Sequence, residues 1–316
     1  PYENPCRIYR TTDGGTNWSS AGNINSYVYG LAVDPTNQNI VYGCGFSPNV
    51  YKTVDGGGSW TALPTDADAF NGLAVDPSNH NIIYAVGNKF YGTHYRMAVS
   101  KSTDGGNSWI TTTFDSTWGY GFSIAVDPTY PNIVYSGGFI NLETRLYKST
   151  DWGNNWNNTT GAIDGYYVST ISVHPQFYNT ILVGTYYNGI FMSTNGGVTW
   201  IQTGNFYGTN SISTSRINTN LAYASTDSFI CKSTDRGASW QRIGSSIPGY
   251  EFRTIIAEPN QAAVVYTHNQ NGVFKSTNEG LNWSFSSRSL TLGSVKVITP
   301  APSVPNVIYC ELRDNA

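Results

Sequence analysis

The chain alternates between short apolar runs, rich in β-branched and aromatic residues, and short polar segments rich in Asp, Asn, Gly and Pro. LAV at Leu31–Val33 and NIVY at Asn39–Tyr42 are typical of these runs. No segment shows the 3.6-residue period of an amphipathic helix. The pattern predicts an all-β protein built from short strands that are joined by tight turns.

Two motifs each recur seven times along the chain. The first is a turn between two apolar runs, with Asp-Pro in three of its copies, as in LAVDPTNQNIVYG at Leu31–Gly43. The second, called the box here, has the pattern Ser/Thr-x-Asp/Asn-x-Gly-x-x-Trp, as in KSTDGGNSW at Lys101–Trp109. Successive box tryptophans lie 40 to 49 residues apart. The third position of the box is occupied by Asp13, Asp55, Asp104, Asp151, Asn195, Asp235 and Asn278.

Each repeat predicts four strands, with A and B flanking the first turn and C and D flanking the box. Four-stranded repeats of this length are typical of propeller blades. We therefore predict one domain over residues 1–316, a single seven-bladed β-propeller in which the last repeat supplies strands A and B and the first residues supply strands C and D of a shared closing blade. The predicted blades are 19–63, 64–112, 113–159, 160–203, 204–243, 244–286, and 287–316 plus 1–18.

The closing blade contains two of the four cysteines. Cys310 ends its predicted strand B and Cys6 precedes its strand C, so the two positions are expected to approach disulfide distance. A bridge there would clamp the ring, and the sequence leaves open whether it forms. Cys44 and Cys231 fall in different, non-adjacent blades and are expected to be buried and unpaired.

The box combines a hydroxyl, a carboxylate and an indole, which is also the composition of a reactive site. Seven near-copies cannot each be an active site, and Asn replaces Asp at Asn195 and Asn278. An amide keeps the hydrogen-bond acceptor of a turn but cannot act as an acid. The box is therefore interpreted as scaffold, with its acceptor bonded to turn N–H groups and its indole covering the turn.

The boxes resemble the Asp-box repeat of bacterial neuraminidases, and the resemblance covers essentially the whole chain. The paired pattern VDPTNQNIVY…YKTVDGGGSW is similar to the propellers of xyloglucan-cleaving glycoside hydrolases, and sortilin-type receptors and a photosystem II assembly factor share the box. The resemblance implies the fold. It does not imply one function, because the repeat occurs in enzymes, receptors and lectins alike.

Two enzyme families were compared with the chain residue by residue. Sialidases use an arginine triad with a Phe/Tyr-Arg-Ile-Pro motif, and the nearest match, Phe252–Ile255, lacks the proline. Xyloglucanases take one catalytic aspartate from each of two facing propellers, whereas one propeller is predicted here. The stretch at Arg10–Gly15, which resembles that family's first aspartate motif, is in a different register and is itself a box. No catalytic residue is carried over.

Strand direction places the A–B turns and the boxes on one rim of the propeller, the box rim. The B–C and D–A loops lie on the opposite rim, the loop rim, where length and sequence vary most, as binding surfaces do. Aromatic residues concentrate there and are the candidate binding residues: Phe90, Tyr91, Tyr95, Trp118, Tyr120, Tyr166, Tyr167, Tyr186, Tyr187, Phe206, Tyr207 and Tyr250. The carboxylates of this rim are Asp66, Asp68, Asp115, Glu143, Asp164, Asp227 and Glu251.

Charged residues make up only 12 % of the chain and the formal net charge is −3. No basic patch for nucleic acid is present, and no apolar run approaches a membrane span. The histidines are dispersed, so we expect neither a metal site nor a cofactor. The Tyr- and Asn-rich, weakly charged composition favours a secreted or cell-surface protein, in which Asn157 and Asn158 would be glycosylation sites.

Two functions remain. The first is a non-catalytic extracellular module that binds glycan or protein, including copies of itself, through the aromatic loops. The alternative is a polysaccharide-active glycoside hydrolase related to the xyloglucanases. The feature that distinguishes them is a carboxylate pair across a groove on the loop rim, which only the hydrolase requires. The sequence favours the binding module and leaves the enzyme open.

Overall fold

The computed structural model describes residues 6–287, 290 and 294–313. The strands in chain order begin with β1 (Cys6–Thr11), β2 (Ser19–Ile24), β3 (Val28–Val33), β4 (Val41–Gly45), β5 (Asn49–Thr53) and β6 (Thr61–Pro64). They continue with β7 (Ala69–Val75), β8 (Ile83–Phe90), β9 (Tyr95–Ser102), β10 (Ile110–Thr113), β11 (Gly119–Val126), β12 (Val134–Ile140), β13 (Glu143–Ser149) and β14 (Asn157–Asn158). The next are β15 (Val168–Val173), β16 (Ile181–Thr185), β17 (Gly189–Ser193), β18 (Ile201–Gly204), β19 (Thr209–Thr214), β20 (Ala222–Thr226), β21 (Ile230–Ser233) and β22 (Gln241–Ile243). The last are β23 (Thr254–Ala257), β24 (Val265–Asn269), β25 (Gly272–Ser276), β26 (Ser284–Phe285), β27 (Ser294–Pro300) and β28 (Ile308–Arg313).

The strands form seven four-stranded antiparallel sheets within the described residues, which confirms the all-β, seven-bladed propeller. Blades 1 to 6 follow one another along the chain, from β3–β6 to β23–β26. No helix in the described part of the chain is long and apolar enough to cross a membrane.

The closing blade has the strand order β27, β28, β1, β2, so strands from the two ends of the chain pair in one sheet, as predicted. Its outer strand is β2, which the sequence analysis assigned to the following blade because it took residue 18 as the boundary. Of the predicted closing blade, residues 1–5, 288–289, 291–293 and 314–316 lie outside the described residues.

The possible Cys6–Cys310 disulfide does not form: all four cysteines are buried free thiols. The register explains this, because Cys310 pairs with Tyr9 and not with Cys6. Since Cys6 lies three residues before Tyr9 on the same strand, the two thiols project from opposite faces of the sheet. Instead, the Cys6 Sγ donates a hydrogen bond of 3.0 Å to the buried Glu311 carboxylate.

The boxes form compact turns whose hydrogen bonds are almost identical from blade to blade. In blade 2 the Ser102 hydroxyl donates to Asp104 Oδ1 at 2.8 Å and accepts from the Gly106 N–H at 2.8 Å. The Asp104 carboxylate also accepts the Ser108 N–H and hydroxyl. Asn195 accepts the equivalent hydroxyl and N–H bonds through its amide oxygen, which agrees with a structural role for the box.

Each box also joins its blade to the preceding one. The buried Tyr135 hydroxyl and the Lys148 ammonium of blade 3 both donate to the Gly196 carbonyl in the box of blade 4, at 3.2 and 2.8 Å. Blade 6 makes the same pair of bonds to the closing blade. Within each blade the box turn also donates to the carbonyl of the A–B turn, as from Gly56 to Asn39, so both turns lie on the box rim.

Reducing agents should leave the melting temperature unchanged, because no disulfide contributes to the stability of the closing blade. The check is a thermal melt by circular dichroism with and without dithiothreitol. A fall of several degrees on reduction would mean that a disulfide forms.

The boxes should make the stability of the fold sensitive to acid. Hydrogen bonds from Ser108 and Ser102 lower the pKa of Asp104 to about 2, and bonds from Asn17 and Asn155 lower the pKa of Asp13 and Asp151 to about 2. These folded-state pKa values are below those of the unfolded chain. Their contribution is therefore present above about pH 4 and lost as the pH falls towards 2.

The triple variant Asp13→Asn, Asp104→Asn, Asp151→Asn should lose less stability between pH 4 and 2 than the wild type, because amides do not titrate. Thermal melts across this range measure the difference. A wild-type slope in the variant would show that the boxes do not contribute to the acid sensitivity.

Candidate functional site

The central channel opens on the loop rim through a depression of about 320 Å³. Six of the seven A strands have an irregularity in their register near this opening, with one residue inserted relative to strand B. Such β-bulges redirect a side chain. The inserted residues and their counterpart Arg253 in blade 6 all line the depression; this bulge ring consists of Tyr29, Asn71, Phe122, Ser169, Asn210, Arg253 and Lys296.

The bulge ring was not predicted from sequence, although its members share a constant spacing to the turn that follows strand A. Each of its members lies five residues before the turn residue that ends strand A, as Tyr29 precedes Asp34 and Lys296 precedes Ala301. In a regular strand, successive side chains point to opposite faces of the sheet. The side chain at the bulge position would then lie on the same face as those two and four residues later in strand A. The bulge breaks the alternation and turns the side chain into the channel instead.

Hydrogen bonds between neighbouring blades hold several of the bulges in place. The Asn71 amide of blade 2 donates to the Gly121 carbonyl of blade 3 at 2.8 Å. The Asn210 amide of blade 5 donates to the Asp227 carboxylate at 2.9 Å and to the Phe252 carbonyl, next to blade 6, at 3.0 Å. The ring positions are thus fixed by the scaffold rather than by mobile loops.

Most of the predicted aromatic residues lie in one connected surface beside the depression. Ring contacts with centroid distances of 5.1 to 5.7 Å run from Phe90 and Tyr95 in blade 2 to Tyr207 in the loop before blade 5. The members of this aromatic surface are Phe90, Tyr95, Trp118, Tyr120, Phe139, Tyr166, Tyr167, Tyr186, Tyr187 and Tyr207.

The aromatic surface is continuous with the bulge ring. Phe122 of the ring lies 4.6 Å from the Tyr167 ring and 6.0 Å from the Phe139 ring, measured between centroids. Phe139 is almost fully buried and supports the surface from below. Neither Phe122 nor Phe139 was among the aromatic residues predicted from sequence; they lie in strands β11 and β12.

Three predicted aromatic residues lie apart from this surface. Tyr91 is beside it, with the Arg96 guanidinium 4.1 Å above its ring. Phe206 is half-buried and packs edge-on against Phe229. Tyr250 is exposed on the loop before blade 6.

Within the aromatic surface some rings cover one another. Tyr167 and Tyr186 stack at 5.1 Å, while Phe90, Trp118, Tyr187 and Tyr207 remain exposed. The Tyr207 hydroxyl donates to the Tyr186 hydroxyl, and this bond raises the pKa of Tyr186 to about 12. The exposed rings are therefore the groups that can contact a ligand, and Tyr186 stays protonated at neutral pH.

Each carboxylate of the loop rim is bonded to a nearby side chain or backbone N–H group. Asp66 pairs with Lys89 at 2.7 Å, Glu143 with Arg145, and Glu251 with Arg253 at 3.6 Å. The others accept nearby N–H groups: Asp68 from Phe90, Asp115 from Ser116, Asp164 from Gly165 and Asp227 from Asn210.

Burial raises the pKa of three carboxyl groups, as a general acid requires. Two of them, Asp127 and Glu258, hold A–B turns on the box rim through bonds to backbone N–H groups. The third, Glu311, is enclosed in the closing blade between Cys6 and Arg313. None of the three faces the depression. In the described part of the chain, no three His, Cys, Asp or Glu side chains are grouped so as to hold a metal ion.

The predicted glycosylation sites lie on an outer strand and not in a loop. Asn157 and Asn158 are exposed and form β14 of blade 3, pairing with Lys148 and Tyr147. The Asn158 side chain accepts the Thr160 N–H. Their modification stays a prediction.

Comparison with known proteins supports the fold. The model of the sortilin family, described as sortilin, neurotensin receptor 3, matches residues 6–133, which is less than half of the chain. The GH74 xyloglucanase from Xanthomonas campestris has a TM-score of 0.71 at 16 % identity over 94 % of this chain and 51 % of its own. The resemblance inferred from the boxes is confirmed.

Two further solved structures are similar to this propeller. An ancestral GH74 enzyme has a TM-score of 0.71 at 17 % identity and covers 94 % of this chain and 43 % of its own. YCF48 from Cyanidioschyzon merolae has a TM-score of 0.65 at 13 % identity, over 91 % and 96 %. This propeller spans about half the length of the xyloglucanases. No individually curated protein matches it.

Replacing Asn210 by alanine should destabilise the propeller by about 1–3 kcal/mol, because a carboxylate and a carbonyl near the channel lose their donor. Lys296→Ala, at the equivalent ring position with an exposed side chain, is the matched control and should change stability by less than about 0.5 kcal/mol. Urea unfolding measures both variants. Equal effects would contradict the assigned role of Asn210.

Proposed function

We propose that this chain is a non-catalytic binding module that acts outside the cell and holds polysaccharide on the aromatic surface of its loop rim. The observation that carries the proposal is the unbroken series of ring contacts from Phe90 to Tyr207, which leads to the bulge ring. A surface of this kind, built across four adjacent repeats, is larger than the packing of individual loops requires.

The chemistry of the surface suits sugars. Aromatic faces stack on the apolar faces of pyranose rings, while tyrosine hydroxyls and asparagine amides bond to sugar hydroxyls. Exposed rings at Trp118, Tyr187 and Tyr207 supply the first kind of contact. The bulge ring supplies amide and hydroxyl groups beside them. The low charge of the chain agrees with an uncharged or weakly charged ligand region around the rings.

A binding role fits the carboxylates better than hydrolysis does. A glycosidase needs a protonated acid and a second carboxylate flanking one bond. The carboxylates of the loop rim are bonded to nearby side chains and backbone N–H groups, and the buried carboxyl groups with raised pKa values face elsewhere. A solved neighbour that is named a xyloglucanase shares the fold and supports a polysaccharide as the class of ligand.

The test is native affinity electrophoresis through gels that contain xyloglucan, mixed-linkage glucan, mannan or no polymer. The wild type should be retarded in at least one polymer gel. The double variant Tyr187→Ala, Tyr207→Ala should lose most of this retardation, because both rings are about half exposed and belong to the aromatic surface.

The matched control is Tyr130→Ala, Tyr178→Ala. These two rings form an exposed pair of similar accessibility, with centroids 4.7 Å apart, in A–B turns on the box rim. Their loss should leave retardation unchanged. Unaltered mobility of the wild type in every gel would overturn the glycan proposal and favour a protein partner or self-association, and release of reducing ends from a retarding polymer would favour the hydrolase.

A further inference from the structure

The bulge ring is chemically asymmetric. Two consecutive positions, Arg253 of blade 6 and Lys296 of blade 7, are cationic and line the same depression. The remaining positions are aromatic or neutral polar, and the aromatic surface lies on the side of blades 2 to 5. A ligand that extends along the aromatic surface into the depression therefore meets positive charge at its end.

The positive charge at this opening is only weakly compensated. Glu251 lies 3.6 Å from Arg253, and both side chains are about half exposed. Such pairs contribute little and exchange partners readily. In the described part of the chain, Lys296 forms no salt bridge and its side chain is exposed. Asp227, near the opening, accepts a bond from Asn210. The buried Glu311 carboxylate attracts Lys296 but is already bonded to Cys6 and Arg313.

A third cation, Arg313, lies near this end of the closing blade but is already paired. Its Nε donates to the buried Glu311 carboxylate at 2.9 Å, and its Nη2 donates to the Val28 carbonyl at 3.0 Å. Its guanidinium covers the Tyr27 and Tyr29 rings. Arg253 and Lys296 are thus the cations that can bind a ligand.

Both cations interact electrostatically with one buried histidine. His268 is fully buried in the neighbouring strand of blade 6 and bonds to the Thr254 hydroxyl at 3.0 Å. Burial, and then the charges of Arg253 and Lys296, lower the pKa of His268 to about 3, so that its ring is neutral. The scaffold keeps a third positive charge away from the two that face the channel.

We propose that Arg253 and Lys296 of the bulge ring bind the carboxylate of an acidic sugar, so that the ligand of this surface is a uronate-bearing polysaccharide. Arginine offers a planar pair of N–H donors to a carboxylate, and lysine adds a point charge. The inference rests on the proposed function, because the other sugars of the polysaccharide would stack their apolar faces on the aromatic surface. The inference adds to the proposed function that the polysaccharide carries negative charge.

Non-specific attraction does not account for such binding. The formal net charge of the chain is −3, so the protein as a whole repels a polyanion. At physiological salt, charges more than about 8 Å apart are largely screened. Retention of an acidic polymer under these conditions therefore requires local contacts.

The experiment is titration calorimetry at physiological salt with oligogalacturonate and with the same oligomer after its carboxyl groups have been reduced to alcohols. The acidic oligomer should bind at least about tenfold more tightly, as expected for charge-assisted hydrogen bonds. The double variant Arg253→Gln, Lys296→Gln should lose this preference and keep its affinity for the reduced oligomer.

Arg145→Gln is the control, because Arg145 is also on the loop rim but is paired with Glu143 in blade 3. It should behave as the wild type. Equal affinities of the wild type for both oligomers would overturn the inference while leaving the proposed function intact. Binding of polyglutamate as tight as that of oligogalacturonate would overturn the sugar assignment. Binding of neither oligomer would overturn the inference alone, because the proposed function is decided by retardation in the polymer gels.

Discussion

The propeller depends on the contact between each box and the blade before it. In the closing blade the Gly14 carbonyl accepts the Tyr266 hydroxyl at 3.2 Å and the Lys275 ammonium at 3.0 Å. Both donors come from blade 6, so the contact spans the joint between the last complete repeat and the first residues of the chain. Because a ring opens wherever one joint fails, every joint needs a contact of this kind, but the donors differ. The Lys52 ammonium bonds to the Gly105 carbonyl, and the Tyr84 hydroxyl bonds to the Trp152 carbonyl. The repetition explains why the boxes are similar and why they carry no individual function.

Departures from the repeat are compensated locally. Blade 4 has Leu182 in place of the buried tyrosine, and the leucine packs against the box glycine Gly237 of blade 5. In blade 6 the first box glycine is replaced by Glu279, which adopts a left-handed backbone (φ 57°). Its carboxylate pairs with Lys232 of blade 5 at 2.7 Å, so the strained position gains a cross-blade contact. The box rim thus tolerates substitution, because packing or an ion pair replaces the hydrogen bond that is lost.

The two rims differ in how far contacts between blades constrain their sequence. The box rim is fixed by turn motifs that recur in every blade, whereas the bonds between blades on the opposite rim differ from one joint to the next, as from Asn71 to Gly121 and from Gly208 to Tyr186. Aromatic residues accumulated on that rim in blades 2 to 5, and two cations occupy the bulge positions of blades 6 and 7. Binding on the loop rim therefore uses the part of the fold in which sequence and contacts vary most between repeats.

Sequence repeats predicted the blades, the closing arrangement and the aromatic rim, because each depends on local patterns repeated at a constant spacing. Three features depended on register or on contacts between blades and were not predicted. Cys6 and Cys310 face opposite sides of the sheet, the bulges bring residues such as Lys296 into the channel, and Phe122 connects the ring to the aromatic surface. A single-residue shift in register decides each of the first two.

The central claim, that the loop rim is the binding surface, is tested most directly by hydrogen–deuterium exchange of the protein with and without a retained oligosaccharide. The account predicts slower exchange in the loops around residues 87–97, 114–123, 161–170 and 204–210 and at the bulges, with the box turns unchanged. Protection confined to the box turns, despite binding, would contradict it.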